Sequence, residues 1–408
     1  MARLSLARWT VLVLLLGLSV LSSAVYAHFQ WDRLFPVEGW FFGGFADFKS
    51  FWLAGRLMGE DRLAVLFDQV AFNFERQAFF PFDGGHVWSY PLHVLLFARP
   101  LSLLPYPVAA SLWMALGAAC LLWMASRAGR SWPAALVVIA CAGTTFFWFW
   151  LGQLSPITGL LLFCATVLAP TRPLLAGLCL GILSVKPQLA LLAGLLLLVT
   201  SQWRPILVGV ATCLAMVLAT TAMIGVEPWI GLMRDAAPTQ RDVMFNWRPV
   251  QPLISTVYAE LIFLWVPKGA AWAAQLVVSA AVFGCALWAA ASRLPWREKA
   301  AMAVCATVAG LPYILVYDHV LLFPLLLPDL LDPRTSFPRF LILAVVLTLA
   351  SFGVMLFLVT GIPLLPAAML LMMASQVAKA RRILREQATG APRPALGLRR
   401  GDAAQAAA

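Results

Sequence analysis

The sequence predicts an all-α polytopic membrane protein, and three observations carry that prediction. Of the 408 residues, 62% are hydrophobic and 12% charged, and the mean hydropathy is +0.87. That is more apolar surface than a soluble chain of this length can bury, whereas a bilayer accepts it directly. Apolar runs of helical length recur almost to the C-terminus, and a helix satisfies its own backbone hydrogen bonds in lipid. The basic residues fall in short clusters between those runs and near the C-terminus, the pattern of positive-inside topology. The same distribution argues against nucleic acid as a partner despite the net charge of +11, because no continuous basic face forms.

The first apolar run covers 9–27. Arg3, Arg8, the apolar stretch and Val25-Tyr26-Ala27 also fit a cleavable signal peptide. The run is long enough to span, and the best site residues follow it, so it is read as an uncleaved first helix. Further spans are expected at 108–126, 132–150, 154–169, 173–185, 188–201, 205–224, 270–292, 299–317, 319–331, 339–359 and 362–378, about twelve crossings in all. With both termini cytoplasmic, the inside loops hold Arg127, Arg130, Arg172, Arg204, Arg293, Arg297, Lys299, Arg334 and Arg339. Outside, apart from two larger loops, only Lys186 and Lys268 are basic.

Two proline-flanked stretches, 92–104 and 252–267, would break that alternation. They are read as re-entrant or surface-lying helices on the outer side. The short pair 173–185 and 188–201 is interrupted by Lys186-Pro187, and half-length helices there leave room for an outer cavity. Residues 1–388 thus form one membrane domain, with 28–107 as its first outer loop. The tail, 389–408, is rich in Ala, Pro, Gly and Arg and reads as a disordered cytoplasmic segment. Lys379, Arg381, Arg382 and Arg385 before it are placed to touch anionic membrane lipids.

Several chemistries find no support. The seven cysteines lie in apolar runs without a C-x-x-C and read as small hydrophobes. His86 and His93, seven apart with Pro91 between, make a poor metal pair. There is no Walker A, no G-x-G-x-x-G and no H-E-x-x-H, which disfavours ATP-driven or nucleotide-sugar chemistry. Gly177-x-x-x-Gly181 reads as close helix packing.

The polar run Gly43-Gly44-Phe45-Ala46-Asp47-Phe48-Lys49-Ser50-Phe51-Trp52 stands out in the first outer loop. Its aromatics, with Leu53, Leu57, Leu66, Phe67, Phe72 and Phe74, have the spacing of amphipathic helices lying in the membrane interface. Asp47 has two readings, a helix N-cap after the glycine pair or a general base that takes the proton from an attacking hydroxyl. Further polar residues recur at outward helix ends: Gln153, Lys186 and Gln188, Arg248, and Tyr317-Asp318-His319. A charge at the centre of a spanning helix costs roughly 2.5–3.5 kcal/mol on insertion scales, so such residues face a cavity or a partner. Lys186 can instead snorkel to headgroups, and His319 can be a hydrogen-bonded structural histidine. The topology places all of them on the side of Asp47.

The run Asp47-Phe48-x-x-Phe51-Trp52-x-Ala54-Gly55-Arg56, followed by Leu66-Phe67-Asp68, resembles the first-loop motif of glycosyltransferase family 87. Tyr90-Pro91-Leu92, Gly152-Gln153-x-Ser155, Lys186-Pro187-Gln188 and Tyr317-Asp318-His319 follow in that family's order, so the resemblance covers roughly 40–330. Leu92, where a second proline is common, and Phe51-Trp52, where tyrosines often occur, depart from it. The resemblance implies a GT-C-like helical bundle and inverting transfer of mannose from a polyprenyl-phosphate donor. The acceptor would be a lipid or glycan, at the outer face of the plasma (inner) membrane.

It also implies Asp47 as the base, Lys186 and Arg248 as cations for the departing phosphate, and His319 bonded to donor phosphate or acceptor. Trp88 and Tyr90 would stack on sugar faces, and Lys49, Gln153, Gln188 and Asp318 would complete the substrate contacts. No cofactor and no obligatory metal are expected, since side chains alone can stabilise a monophosphate leaving group. The alternative is a polytopic lipid or solute transporter or flippase without transferase activity. It would share the hydropathy and the outer cavity, but the sequence has no convincing internal repeat. A non-catalytic scaffold subunit, the third reading, would leave Asp47 free to mutate.

Overall fold

The computed structural model describes residues 4–34, 45–80 and 86–389. Among them the chain is helical, and the only strand-like feature is an isolated antiparallel bridge between Ile254 and Leu315. Helices α1 (Leu6–Leu34), α2 (Ala46–Gly59), α3 (Gln69–Phe79), α4 (Leu95–Ser102) and α5 (Tyr106–Ser126) come first. They are followed by α6 (Trp132–Cys141), α7 (Gly143–Leu151), α8 (Ser155–Val167), α9 (Pro173–Ile182), α10 (Pro187–Val199) and α11 (Trp203–Ile224). Three short helices, α12 (Glu227–Gly231), α13 (Ala237–Asn246) and α14 (Val257–Phe263), lead to α15 (Lys268–Ala291) and α16 (Trp296–Gly310). The chain closes with α17 (Phe323–Leu330), α18 (Phe337–Thr348), α19 (Ala350–Thr360) and α20 (Leu364–Ala388).

Four of the described helices are long and apolar enough to cross a bilayer: Leu6–Phe29 of α1, α5, α11 and α15. Two bent pairs, Gly129–Cys141 with α7 at 59° and α18 with α19 at 79°, are together apolar and long enough for a broken span or a re-entrant loop. These helices make the chain a membrane protein. The apolar runs expected as crossings at 154–169, 173–185 and 188–201 form helices of 13, 10 and 13 residues, too short to span alone.

A bend in lipid frees backbone groups that something must satisfy. Here α1 does so for the α18–α19 break. Ser19 Oγ donates to the Thr348 carbonyl at 2.8 Å, and Ser351 Oγ donates back to the Ser19 carbonyl at 3.0 Å. Ser22 Oγ lies 2.9 Å from Ser351 Oγ. Gly143, at the other break, packs directly on Ser351, where a side chain would collide. Close packing is also the role of Gly177 and Gly181, which press on Val208 and Thr212 of α11.

The segment expected as a first outer loop differs from its expected packing. Helix α2 turns its aromatics into protein: Phe48, Leu53 and Ala54 are fully buried, and Phe51 and Trp52 nearly so. They pack with Leu92, Leu95, Ala98, Tyr106 and Trp113 in a core of their own. Aromatic anchoring and aromatic packing share one sequence pattern, and Gly55, whose missing side chain lets the Ala98 backbone approach, favours packing. Within 92–104, expected as a re-entrant or surface-lying helix, α4 packs against α2. Only α3 keeps an amphipathic form, with Val70 and Phe74 exposed and Phe72 buried.

The bundle has two polar ends. At one, Arg8 donates to the Pro333 carbonyl at 2.8 Å, Arg339 pairs with Asp329 at 2.8 Å, and Lys379 bridges Asp329 at 2.7 Å and Glu298 at 2.9 Å. Lys379 and the arginines after it belong to α20, which continues to Ala388. Trp296 Nε1 donates to the Thr166 carbonyl at this end. At the other end of α8, Ser155 bonds Asp318. Those eleven residues of helix separate the ends by roughly 16 Å at 1.5 Å per residue. The tail from residue 390 and the glycine pair 43–44 lie outside the described residues.

Candidate active site

Asp47 is not a cap. Helix α2 begins at Ala46, its N-cap is Phe45, and no side chain caps the turn. Asp68 is the capping carboxylate of this loop, its Oδ1 accepting from Val70 N at 2.9 Å and Ala71 N at 3.0 Å. Asp47 instead sits in the first turn of α2, where the helix dipole favours its negative charge.

The backbone around it is held in uncommon conformations. Phe45 is left-handed (φ 62°, ψ 39°), a costly state for a bulky residue. Its N–H donates to the Trp150 carbonyl at 2.9 Å, which ties α2 to the end of α7. Gly152 is also left-handed (φ 67°), and a Cβ there would stand 2.9 Å from Phe45 Cβ and 3.0 Å from Phe48 Cβ. Trp113 Nε1 donates to its carbonyl at 2.9 Å. This close approach delivers the next residue, Gln153, to Asp47. Gly152→Ala is therefore expected to lower stability by about 1–3 kcal/mol, from left-handed strain and crowding of Phe45. Thermal unfolding in detergent measures it, and an unchanged midpoint would contradict the close approach.

Gln153 Nε2 donates to Asp47 Oδ2, and Gln153 Oε1 accepts from the Tyr90 hydroxyl at 3.2 Å. The Asp47 side chain keeps 23% of its surface exposed, whereas Gln153 keeps 3%. The carboxylate is reachable and its support is not. Burial, then the charge of Asp47, Tyr313 and the charge of Asp318 hold the Tyr90 phenol well above its ordinary value, so it stays protonated and donates.

Sequence reasoning missed two neighbours. His86 Nδ1 stands 3.8 Å from Asp47 Oδ1. Burial, then the cations Arg76 and Lys49, hold this imidazole well below its ordinary value, so it faces the carboxylate as a neutral ring at pH 7. Arg76, fully buried, donates to the Ala46 carbonyl at 3.1 and 3.2 Å and to Ser50 Oγ, fixing α3 on the first turn of α2. Its readable signal was an arginine four residues after buried Phe72, on the apolar face of an amphipathic helix. Lys49 is buried with its ammonium 5.2 Å from the centre of the Phe80 ring.

A second cluster forms where α9 gives way to α10. Pro187 opens α10, and Lys186 before it is non-helical (φ −129°, ψ 76°), outside the helical region that a following proline disfavours. Lys186 Nζ donates to Asp318 Oδ1 at 3.0 Å and lies 5.0 Å from the centre of the Tyr317 ring. Lys186 is thus a buried ion-pair partner, not a snorkelling lysine. Ser155 Oγ donates to the same Oδ1 at 2.9 Å. His319 Nε2 lies 2.7 Å from Ser255 Oγ, a contact set by the Ile254–Leu315 bridge. Its buried Nδ1 meets no partner among the described residues. Gln188 is half-buried in the first turn of α10, and the Arg248 side chain lies outside the described residues. Gln153, bonded to Asp47, and Ser155, bonded to Asp318, are two residues apart, which sets the two clusters side by side. Trp88 does not line it: it is 2% exposed, packed against Phe51 and Tyr90, and cannot stack on a sugar.

An accessible carboxylate in a helix first turn, beside a neutral imidazole and near a buried lysine, can accept a proton next to a site of developing negative charge. Residues 88–317, more than half of the chain, match the model of glycosyltransferase family 87. The chain belongs to glycosyltransferase family 87. No curated protein and no solved structure matches it. As a family 87 member it is a glycosyltransferase with a sugar donor and an acceptor, which decides against a transporter without transferase activity. The matched stretch includes Tyr90, Gln153, Lys186, Gln188, Arg248 and Tyr317. It begins after Asp47 and Lys49 and ends before Asp318 and His319.

Proposed function

We propose that this glycosyltransferase moves a hexose, mannose, from a polyprenyl-phosphate donor to a hydroxyl of a lipid or glycan acceptor, inverting the anomeric carbon. The observation that carries this reading is Asp47, a part-exposed carboxylate whose support from Gln153 is buried. In the proposed step Asp47 takes the proton of the acceptor hydroxyl, and that oxygen bonds to the anomeric carbon from the face opposite the phosphate. The bond from that carbon to the phosphate oxygen breaks, and polyprenyl phosphate leaves with the electron pair. Lys186, an ammonium with donors beyond its bond to Asp318, meets the charge on the leaving phosphate. His319 offers Nδ1 to donor or acceptor, and Lys49, Gln188 and Arg248 are assigned to the same substrate region.

The reading includes a GT-C-like bundle of about twelve crossings, full and partial, spanning residues 1–388. The plasma (inner) membrane holds it with Asp47 on the outer face, and the basic end of the bundle and both termini are cytoplasmic. Purified protein in liposomes, given polyprenyl-phosphate-mannose or GDP-mannose with a lipid acceptor extract and a chelator, tests it. Transfer from the polyprenyl donor alone, with inversion by NMR, is expected. Direct use of GDP-mannose, or retention, would sink the proposal.

A further inference from the structure

We propose that Gln153, held by Tyr90, is a positioning residue for Asp47: it fixes the carboxylate plane toward the acceptor and holds the ionised form ready. This rests on Asp47 as the base and replaces the expectation that Gln153 and Tyr90 contact substrate directly. The hydrogen bonds run in one direction only. A carboxylate can only accept, so it must meet the amide nitrogen of Gln153, and the amide oxygen then needs a donor. The Tyr90 hydroxyl is that donor, at 3.2 Å. With the amide reversed, two oxygens would face each other at Asp47 Oδ2.

Neither support residue has freedom to do otherwise. Gln153 is 3% exposed and follows the left-handed Gly152, whose carbonyl is held by Trp113. The Tyr90 ring lies 4.5 Å from that of Phe51 and 5.9 Å from that of Trp88, centre to centre. Among the described residues, the other titratable groups around Asp47 are Lys49 on α2, Arg76 on α3, His86, Tyr313, Tyr317 and Asp318. Removing the Gln153 amide changes the charge of none of them.

The test uses the full-length protein in liposomes with polyprenyl-phosphate-mannose. Displacing a reacting group by an ångström costs about a hundredfold, so Gln153→Leu is expected to cut kcat by about 10- to 100-fold, with both KM values within twofold. A donated hydrogen bond favours the charged form, so its loss raises the Asp47 pKa. The acid limb of the pH–rate profile should therefore move up by about one pH unit. Tyr90→Phe, which keeps the ring packing, is expected to cost about threefold to tenfold in kcat, and little more when added to Gln153→Leu. A KM increase with kcat retained would return both residues to substrate contact and overturn the proposal. An additive double variant, or an acid limb that stays in place, would overturn it too. Asp47→Asn separates the two failures. If that variant is active, the base reading falls and this inference with it. If it is inactive while Gln153→Leu keeps its kcat and acid limb, only the positioning role falls.

Discussion

Asp47→Asn is expected to cut sugar transfer by about 10²- to 10⁴-fold, the usual contribution of a positioned general base, while leaving the fold intact. The substitution keeps the shape of the side chain and an oxygen to accept from Gln153 Nε2, so the tie between α2 and the end of α7 survives. What it removes is the capacity to take a proton. Donor affinity should change little, because the base acts on the acceptor, so the loss should appear in kcat rather than in the donor KM. Asp68→Asn is the control: asparagine caps helices as well as aspartate, and Asp68 serves as the α3 cap. Full turnover by Asp47→Asn would remove Asp47 from the base role.

Lys186→Met is expected to reduce stability by about 3–5 kcal/mol, the cost of leaving one partner of a buried ion pair without the other. Asp318 would keep the Ser155 hydroxyl and the backbone N–H of Leu315, neither of which carries charge. Adding Asp318→Asn removes the stranded charge and should restore most of the thermal midpoint. The double variant then separates support from chemistry. If Lys186 meets the departing phosphate, transfer stays depressed by about tenfold or more although the protein is stable again. Recovery of transfer along with the midpoint would make the pair structural only.

The helical class and the membrane environment were legible in composition and apolar runs. Basic residues assigned to one side, Arg8, Arg297, Arg339 and Lys379, do come together around 329–335 and Glu298. The α9–α11 packing was readable from Gly177 and Gly181. Several features were not legible, each for a physical reason. The aromatics of α2 look alike in sequence whether they face headgroups or a protein core, since both demand large apolar rings at helical spacing. The α18–α19 bend carries no proline at the break, because serines on a distant helix do the satisfying. Partner choice was the larger gap: Lys186 and Asp318 were both singled out, yet nothing in a linear pattern says that they bond to each other. Arg76 was passed over because it stands in the polar run Glu75-Arg76-Gln77, which reads as a solvated face, and His86 because it was weighed only as a metal ligand.

The stitching of α1 to the α18–α19 break sets an order of events during biosynthesis. Ser19 is translated 329 residues before Thr348, so α1 enters the membrane long before the carbonyl it serves exists. The same delay separates Lys186 from Asp318, 132 residues later. A growing chain holds its acid early but not the surroundings that give the acid a task. Competence arrives only once Asp318 has been made and docked, and a shorter ribosome-bound fragment has no finished site to offer a substrate.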